Sequence, residues 1–154
     1  MKKFIALAFM ALFLMPLTHS AAQEVRVTGI SHSDFVEDVL PYMRRPAVIL
    51  FGSNYCGYSR QQLKILRTTL SDNRYLLKYI DFYSVNVDSQ EDSDWFDSIY
   101  DDDDDERGTP TWVFYYLDED GQPEYYYNTG NMTSSDMVHF FERLSHESYY
   151  LKDN

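Results

Sequence analysis

The chain has 154 residues, with 25 Asp and Glu against 13 Lys and Arg, and a formal net charge of −12. That balance argues against nucleic acid and anionic membrane surfaces as partners and favours cationic ones. A single cysteine excludes an internal disulfide, and the four histidines lack the spacing of a metal pair on one helix face, so neither zinc nor another cofactor is expected.

The opening segment MKKFIALAFMALFLMPLTHSAA carries two lysines, an apolar run from Phe4 to Leu17, and small residues at Ser20 and Ala22. It reads as a bacterial secretory signal cut near Ala22, since the run falls short of the roughly 20 residues that a spanning helix needs. The expected division is a signal peptide at 1–22 and one domain at 23–154, delivered soluble to the periplasm. Losing Lys2 and Lys3 with the signal takes the net charge from −12 to −14. An oxidising compartment usually rewards paired cysteines, so a lone Cys56 is either buried and inert or a thiol with a use.

Along the domain, Val25 to Ile30 alternates like a strand, and the next segment places Phe35, Val36, Val39 and Leu40 at helical spacing behind Ser and Asp caps. After Pro46, AVILFGS is apolar throughout, as in a strand covered on both faces. From Cys56 the pattern turns helical, with Leu63, Leu66 and Leu70 on one stripe and Arg60, Gln61, Lys64 and Arg67 largely off it. Tyr79 to Asp88 reads as a second central strand, and Glu91 to Tyr100 as a short helix bearing Trp95, Phe96 and Ile99. Two strands, Thr111 to Leu117 and Glu124 to Thr129, are joined across an Asp-Gly hairpin turn. A last helix starts at Thr133 with a Thr-Ser-Ser-Asp capping box and turns Met137, Phe140, Phe141 and Leu144 inward. The order β-α-β-α-β-α-β-β-α gives an α/β domain, a mixed sheet of about five strands flanked by helices on both faces.

This order and three local motifs resemble the thioredoxin superfamily. Tyr55-Cys56-Gly57-Tyr58-Ser59 lies where that family has its Cys-x-x-Cys site, Arg107-Gly108-Thr109-Pro110-Thr111 is similar to its cis-proline loop, and Asn128-Thr129-Gly130 to its glycine turn before the final helix. The likeness covers nearly the whole domain and implies a thioredoxin-like fold, with Cys56 and Ser59 at the catalytic position. It also implies that Thr109, Pro110, Tyr55, Gly57 and Tyr58 form the substrate surface, the backbone around Thr109 pairing with an extended peptide as an added strand. The chain departs from the family at Ser59, at Leu50, where thioredoxins bury an acidic residue, and at Tyr58, where they have proline.

The chemistry follows from position as well. A thiol at a helix N-terminus faces unpaired backbone N–H groups and the positive end of the dipole, which favour the thiolate. The Ser59 hydroxyl, one turn on, is placed either to bond that sulfur or to bond backbone. A serine cannot displace a thiolate from a disulfide, so Cys56 would stop at the mixed disulfide until glutathione, a client thiol or a partner thiol resolves it. The expected function is monothiol thiol–disulfide exchange with client protein thiols or disulfides: isomerisation, deglutathionylation or thiol protection. Its rival is a redox-inactive binding module that uses the same groove to hold a partner. Three readings stand for the run Asp101 to Glu106: a solvated loop, a calcium site, or a local field drawing basic clients, which would also raise the Cys56 pKa. Tyr125 to Tyr127 reads as sheet packing with one wet face.

Overall fold

The apolar run of β2 (Ala47–Gly52) sends alternate side chains to opposite faces, and each face meets its own core. In this computed structural model, residues 25–100 and 107–150 are described, with side chains to residue 146; the segment expected as a signal, 1–22, and Asp101 to Glu106 lie outside them. The other strands are β1 (Thr28–Gly29), β3 (Asp81–Asn86), β4 (Thr111–Leu117) and β5 (Pro123–Thr129). They form one mixed sheet in the order β1-β3-β2-β4-β5, with β1, β3 and β2 parallel and β4 and β5 antiparallel to their neighbours.

The helices are α1 (His32–Asp34), α2 (Gly57–Asp72), α3 (Gln90–Ser98) and α4 (Ser134–Tyr150). Val48, Leu50, Trp112 and Phe114 pack in one core with Leu66 and Leu70 of α2 and Met137, Phe141 and Leu144 of α4. Ile49, Phe51 and Val113 pack in the other with Phe35, Trp95, Phe96 and Ile99. Fully burying a side chain of this size contributes about 1.5–3 kcal/mol, so both faces of β2 anchor the domain.

Three stretches differ from expectation. The first strand is shorter than expected: its register covers Thr28 and Gly29, Ile30 N–H also donates to Ser84 O at 3.0 Å, and Val27 is buried by packing. The first helix is irregular: α1 passes into a π-helical turn, Phe35–Val39, and a 3-10 turn, Leu40–Tyr42. Pro41 has no N–H for an ordinary helical bond and its ring crowds the carbonyl four residues back, while Leu40 N–H bonds Phe35 O five residues back. Phe35, Val39 and Leu40 therefore share the buried side, and Val36 turns out to 42 % exposure. A 3-10 turn, Arg74–Lys78, which the periodicity did not announce, buries Leu76.

The hairpin follows the Asp-Gly signal, with Gly121 at φ 76 and the Asp118 carboxylate accepting from Asp120 N–H and Gln122 N–H at 2.9 and 2.7 Å. At α4 the capping box closes reciprocally: Asp136 N–H donates to Thr133 Oγ1, and Thr133 N–H to Asp136 Oδ2.

Register positions the site. Because β2 and β4 are antiparallel, with Phe51 opposite Thr111, the segment that leaves β2 lies beside the segment that enters β4. Cys56 belongs to the first and Thr109-Pro110 to the second.

Candidate active site

Between the end of β2 and the start of α2 the chain turns through Ser53, Asn54 and Tyr55, leaving Cys56 as N-cap with extended backbone, φ −86 and ψ 116. Asp88, just past β3, braces the turn, accepting from the Ser53 hydroxyl at 2.6 Å and Asn54 N–H at 3.0 Å. These bonds, the Ser53 hydroxyl first, hold the Asp88 carboxyl below its usual pKa. Tyr55 N–H donates to Ser53 Oγ at 3.1 Å, and the Arg60 guanidinium donates to the Asn54 carbonyl.

Cys56 is half-buried, and no acidic side chain lies in the first turn of α2 to oppose a negative sulfur. Its pKa is lowered from 9.0 to about 7. The Ser59 hydroxyl is the largest cause and Ser59 N–H the next; partial burial opposes them, and the Thr109 side chain and Tyr58 N–H add to them. These are donors aimed at the charged form at a helix start. Ser59 is 5 % exposed, and its hydroxyl has no hydrogen-bond partner of ordinary geometry among the described residues. A neutral thiol is a weak acceptor for such a group, whereas a thiolate is a strong one. Gly52 permits the close approach, since a Cβ there would sit 2.8 Å from Ser59 Cβ.

Across the site, the thiol donates to the Thr109 carbonyl at 3.6 Å, and the Thr109–Pro110 peptide bond is cis. Gly130 N–H bonds Pro110 O at 2.9 Å, with Gly130 at φ 106, a conformation that suits glycine. The Tyr100 hydroxyl lies 2.6 Å from Thr111 Oγ1, and the Arg107 guanidinium stands over the Tyr100 ring. Thr109 N–H has no hydrogen bond among the described residues.

Cys56, Ser59, Thr109 and Pro110 thus converge. Gly57 opens α2 with the Arg60 guanidinium 3.9 Å from where a Cβ would sit, while Tyr55 and Tyr58, 89 % and 63 % exposed, flank the cysteine and project into solvent. Leu50 is buried, and lines a cavity of about 250 Å³ behind Ser59 together with Gly52, Leu63 and Asn86. A larger cavity, about 420 Å³, lies at the other end of β2 and β3 and shares no residue with the cysteine site. No group of three or more His, Cys, Asp or Glu among the described residues could hold a metal ion.

Gly52, Asp88 and Tyr100 support the site without having been singled out in the sequence. Gly52 carried a signal, a glycine closing an otherwise β-branched and apolar strand; Asp88 and Tyr100 act through partners far along the chain and carried none.

A five-stranded mixed sheet in this order, helices on both faces, and a cysteine at the helix start beside a proline loop define the thioredoxin fold. Among solved structures, a chloroplastic thioredoxin z matches with a TM-score of 0.60 and 14 % identity, over 79 % of this chain and 96 % of that one. The thioredoxin Mala s 13 of Malassezia sympodialis matches with a TM-score of 0.58 and 24 % identity, over 78 % of this chain and 91 % of that one. No protein-family model and no curated protein matches the chain.

Proposed function

We propose that this protein is a monothiol thiol–disulfide exchange protein whose nucleophile is Cys56, working in the bacterial periplasm after cleavage of residues 1–22. The observation that carries the reading is a half-buried sulfur at the N-cap of α2, with the buried Ser59 hydroxyl one turn on and the cis Thr109–Pro110 loop across from it. The Cys56 thiolate attacks one sulfur of a disulfide; a new S–S bond forms, the old one breaks, and the departing sulfur leaves as thiolate. Ser59 cannot displace that bond, so an outside thiol, from glutathione or from the client, must attack the partner sulfur; a new S–S bond forms there and Cys56 leaves as thiolate, which completes the exchange. The Thr109 N–H offers a donor to an extended peptide beside Pro110, and Gly57, Tyr55 and Tyr58 form the rim of that surface. The acidic charge favours basic clients.

Mass spectrometry of the full chain after mild treatment with oxidised glutathione tests this. A glutathione adduct on Cys56, absent from the Cys56→Ala variant, is expected. A chain that remains unmodified at neutral pH would favour the rival, a thioredoxin-fold module that binds a partner without exchange.

A further inference from the structure

The site offers more than exchange with a disulfide requires. A thiolate uses only donors, and Ser59 Oγ–H, Ser59 N–H, the Thr109 side chain and Tyr58 N–H supply them. The Thr109 carbonyl is an acceptor pointed at the same sulfur from 3.6 Å, and a thiolate has no proton to give it. That separation exceeds the ~2.7 Å of an O–H···O contact, so a hydroxyl bonded to the sulfur reaches the carbonyl by a bent approach. The group that uses both sides is Cys–S–O–H, whose oxygen accepts from the buried Ser59 hydroxyl and whose proton goes to Thr109 O. A sulfenic acid is commonly consumed by a neighbouring thiol, and this chain has no second cysteine.

We propose that Cys56, with the orphaned Ser59 hydroxyl on one side and the Thr109 carbonyl on the other, reacts with a hydroperoxide to form a held sulfenic acid that then oxidises client thiols. The proposal rests on Cys56 being the reactive thiol of the exchange reading. In the first step the thiolate attacks the terminal peroxide oxygen. An S–O bond forms, the O–O bond breaks, and the leaving oxygen takes a proton from solvent to depart as alcohol, or as water from hydrogen peroxide. The sulfur loses two electrons and the peroxide gains them. In the second step a client thiolate attacks Cys56 Sγ; an S–S bond forms, the S–O bond breaks, and hydroxide leaves as water after taking a proton. A second client thiol then displaces Cys56 as thiolate and leaves a client disulfide. One hydroperoxide thus yields one client disulfide, and the missing resolving cysteine is no longer a defect, because the oxidising equivalent comes from the peroxide.

The test treats the full chain with one equivalent of hydrogen peroxide, traps with dimedone after graded delays, and locates the adduct by mass spectrometry. Oxidised glutathione is applied to a parallel sample. A dimedone adduct on Cys56 is expected, with the trappable lifetime shortened about tenfold in Ser59→Ala, the scale of one hydrogen bond to a polar or charged group. On the unaltered protein, a peptide bearing two thiols should gain one disulfide per peroxide consumed, a readout that does not depend on any variant. Glutathionylation without a dimedone adduct overturns this inference and leaves the exchange reading intact. Failure of both modifications overturns both, and an equal lifetime in Ser59→Ala overturns the role given to that hydroxyl.

Discussion

Cys56 and Ser59 are three residues apart on one helical turn, which sets the buried Ser59 hydroxyl beside the sulfur. A serine buried to 5 % exposure with no ordinary partner is costly, by about 1–3 kcal/mol for an unsatisfied hydroxyl, unless an acceptor forms beside it. Ionisation of Cys56 provides that acceptor. Ser59→Ala should therefore raise the Cys56 pKa from about 7 toward 9.0, by roughly one unit, since one unit corresponds to about 1.36 kcal/mol. The pH dependence of iodoacetamide alkylation reads this directly; an unmoved midpoint would mean that the hydroxyl does not touch the sulfur's charge. The same contact was only half legible in the sequence. The Cys-x-x-Ser spacing placed the two residues on one turn, but the choice between sulfur and backbone as partner depended on Gly52, on another element, clearing space at 2.8 Å.

At the scale of elements, the proline loop is held by side chains that ladder bonds do not explain. Tyr100, beyond α3, reaches Thr111 at the start of β4, and Thr111 is fully buried. Tyr100→Phe keeps the ring in its core and removes the hydroxyl, leaving Thr111 with its bond to the Gly108 carbonyl. A loss of about 1 kcal/mol in urea unfolding is expected, together with slower glutathionylation of Cys56. A loss of stability without a change in rate would separate the loop's packing from its service to the thiol. The elements themselves were read to differing depth. Thr111 to Leu117 was bounded correctly because β-branched and aromatic residues run unbroken from Thr111 to Tyr116, with apolar Leu117 before the Asp118 turn. Val25 to Ile30 was read too long, since alternation reports a side-chain pattern and not how much of a neighbouring strand is there to pair. Around Phe35 the spacing was right in kind, but Pro41 altered the turn, so Val36 left the core.

Across the whole molecule, the antiparallel register of β2 and β4 makes the site, because it brings the end of one strand to the beginning of another. That meeting was legible only through the resemblance to thioredoxins, as no local pattern states which strands are neighbours. The site in turn returns an effect to the fold through its proton. An unperturbed thiol titrates near 9.0 and the folded chain lowers the Cys56 pKa to about 7, so the folded state favours the thiolate. The resulting stability is fully present above pH 9, and is lost as pH falls through about 7. Melting curves of the native chain and of Cys56→Ser, compared pH by pH, isolate this contribution from the titration of the acidic surface. The gap in favour of the native chain should widen from pH 6 to pH 9; a gap independent of pH would deny the shift.

Whether Cys56 is a nucleophile at neutral pH is decided by the rate of mixed-disulfide formation with oxidised glutathione as a function of pH. An adduct on Cys56 is expected, its rate rising to half its plateau near pH 7. A chain that forms no adduct, or one whose rate still climbs through pH 9 as for an ordinary thiol, would contradict it.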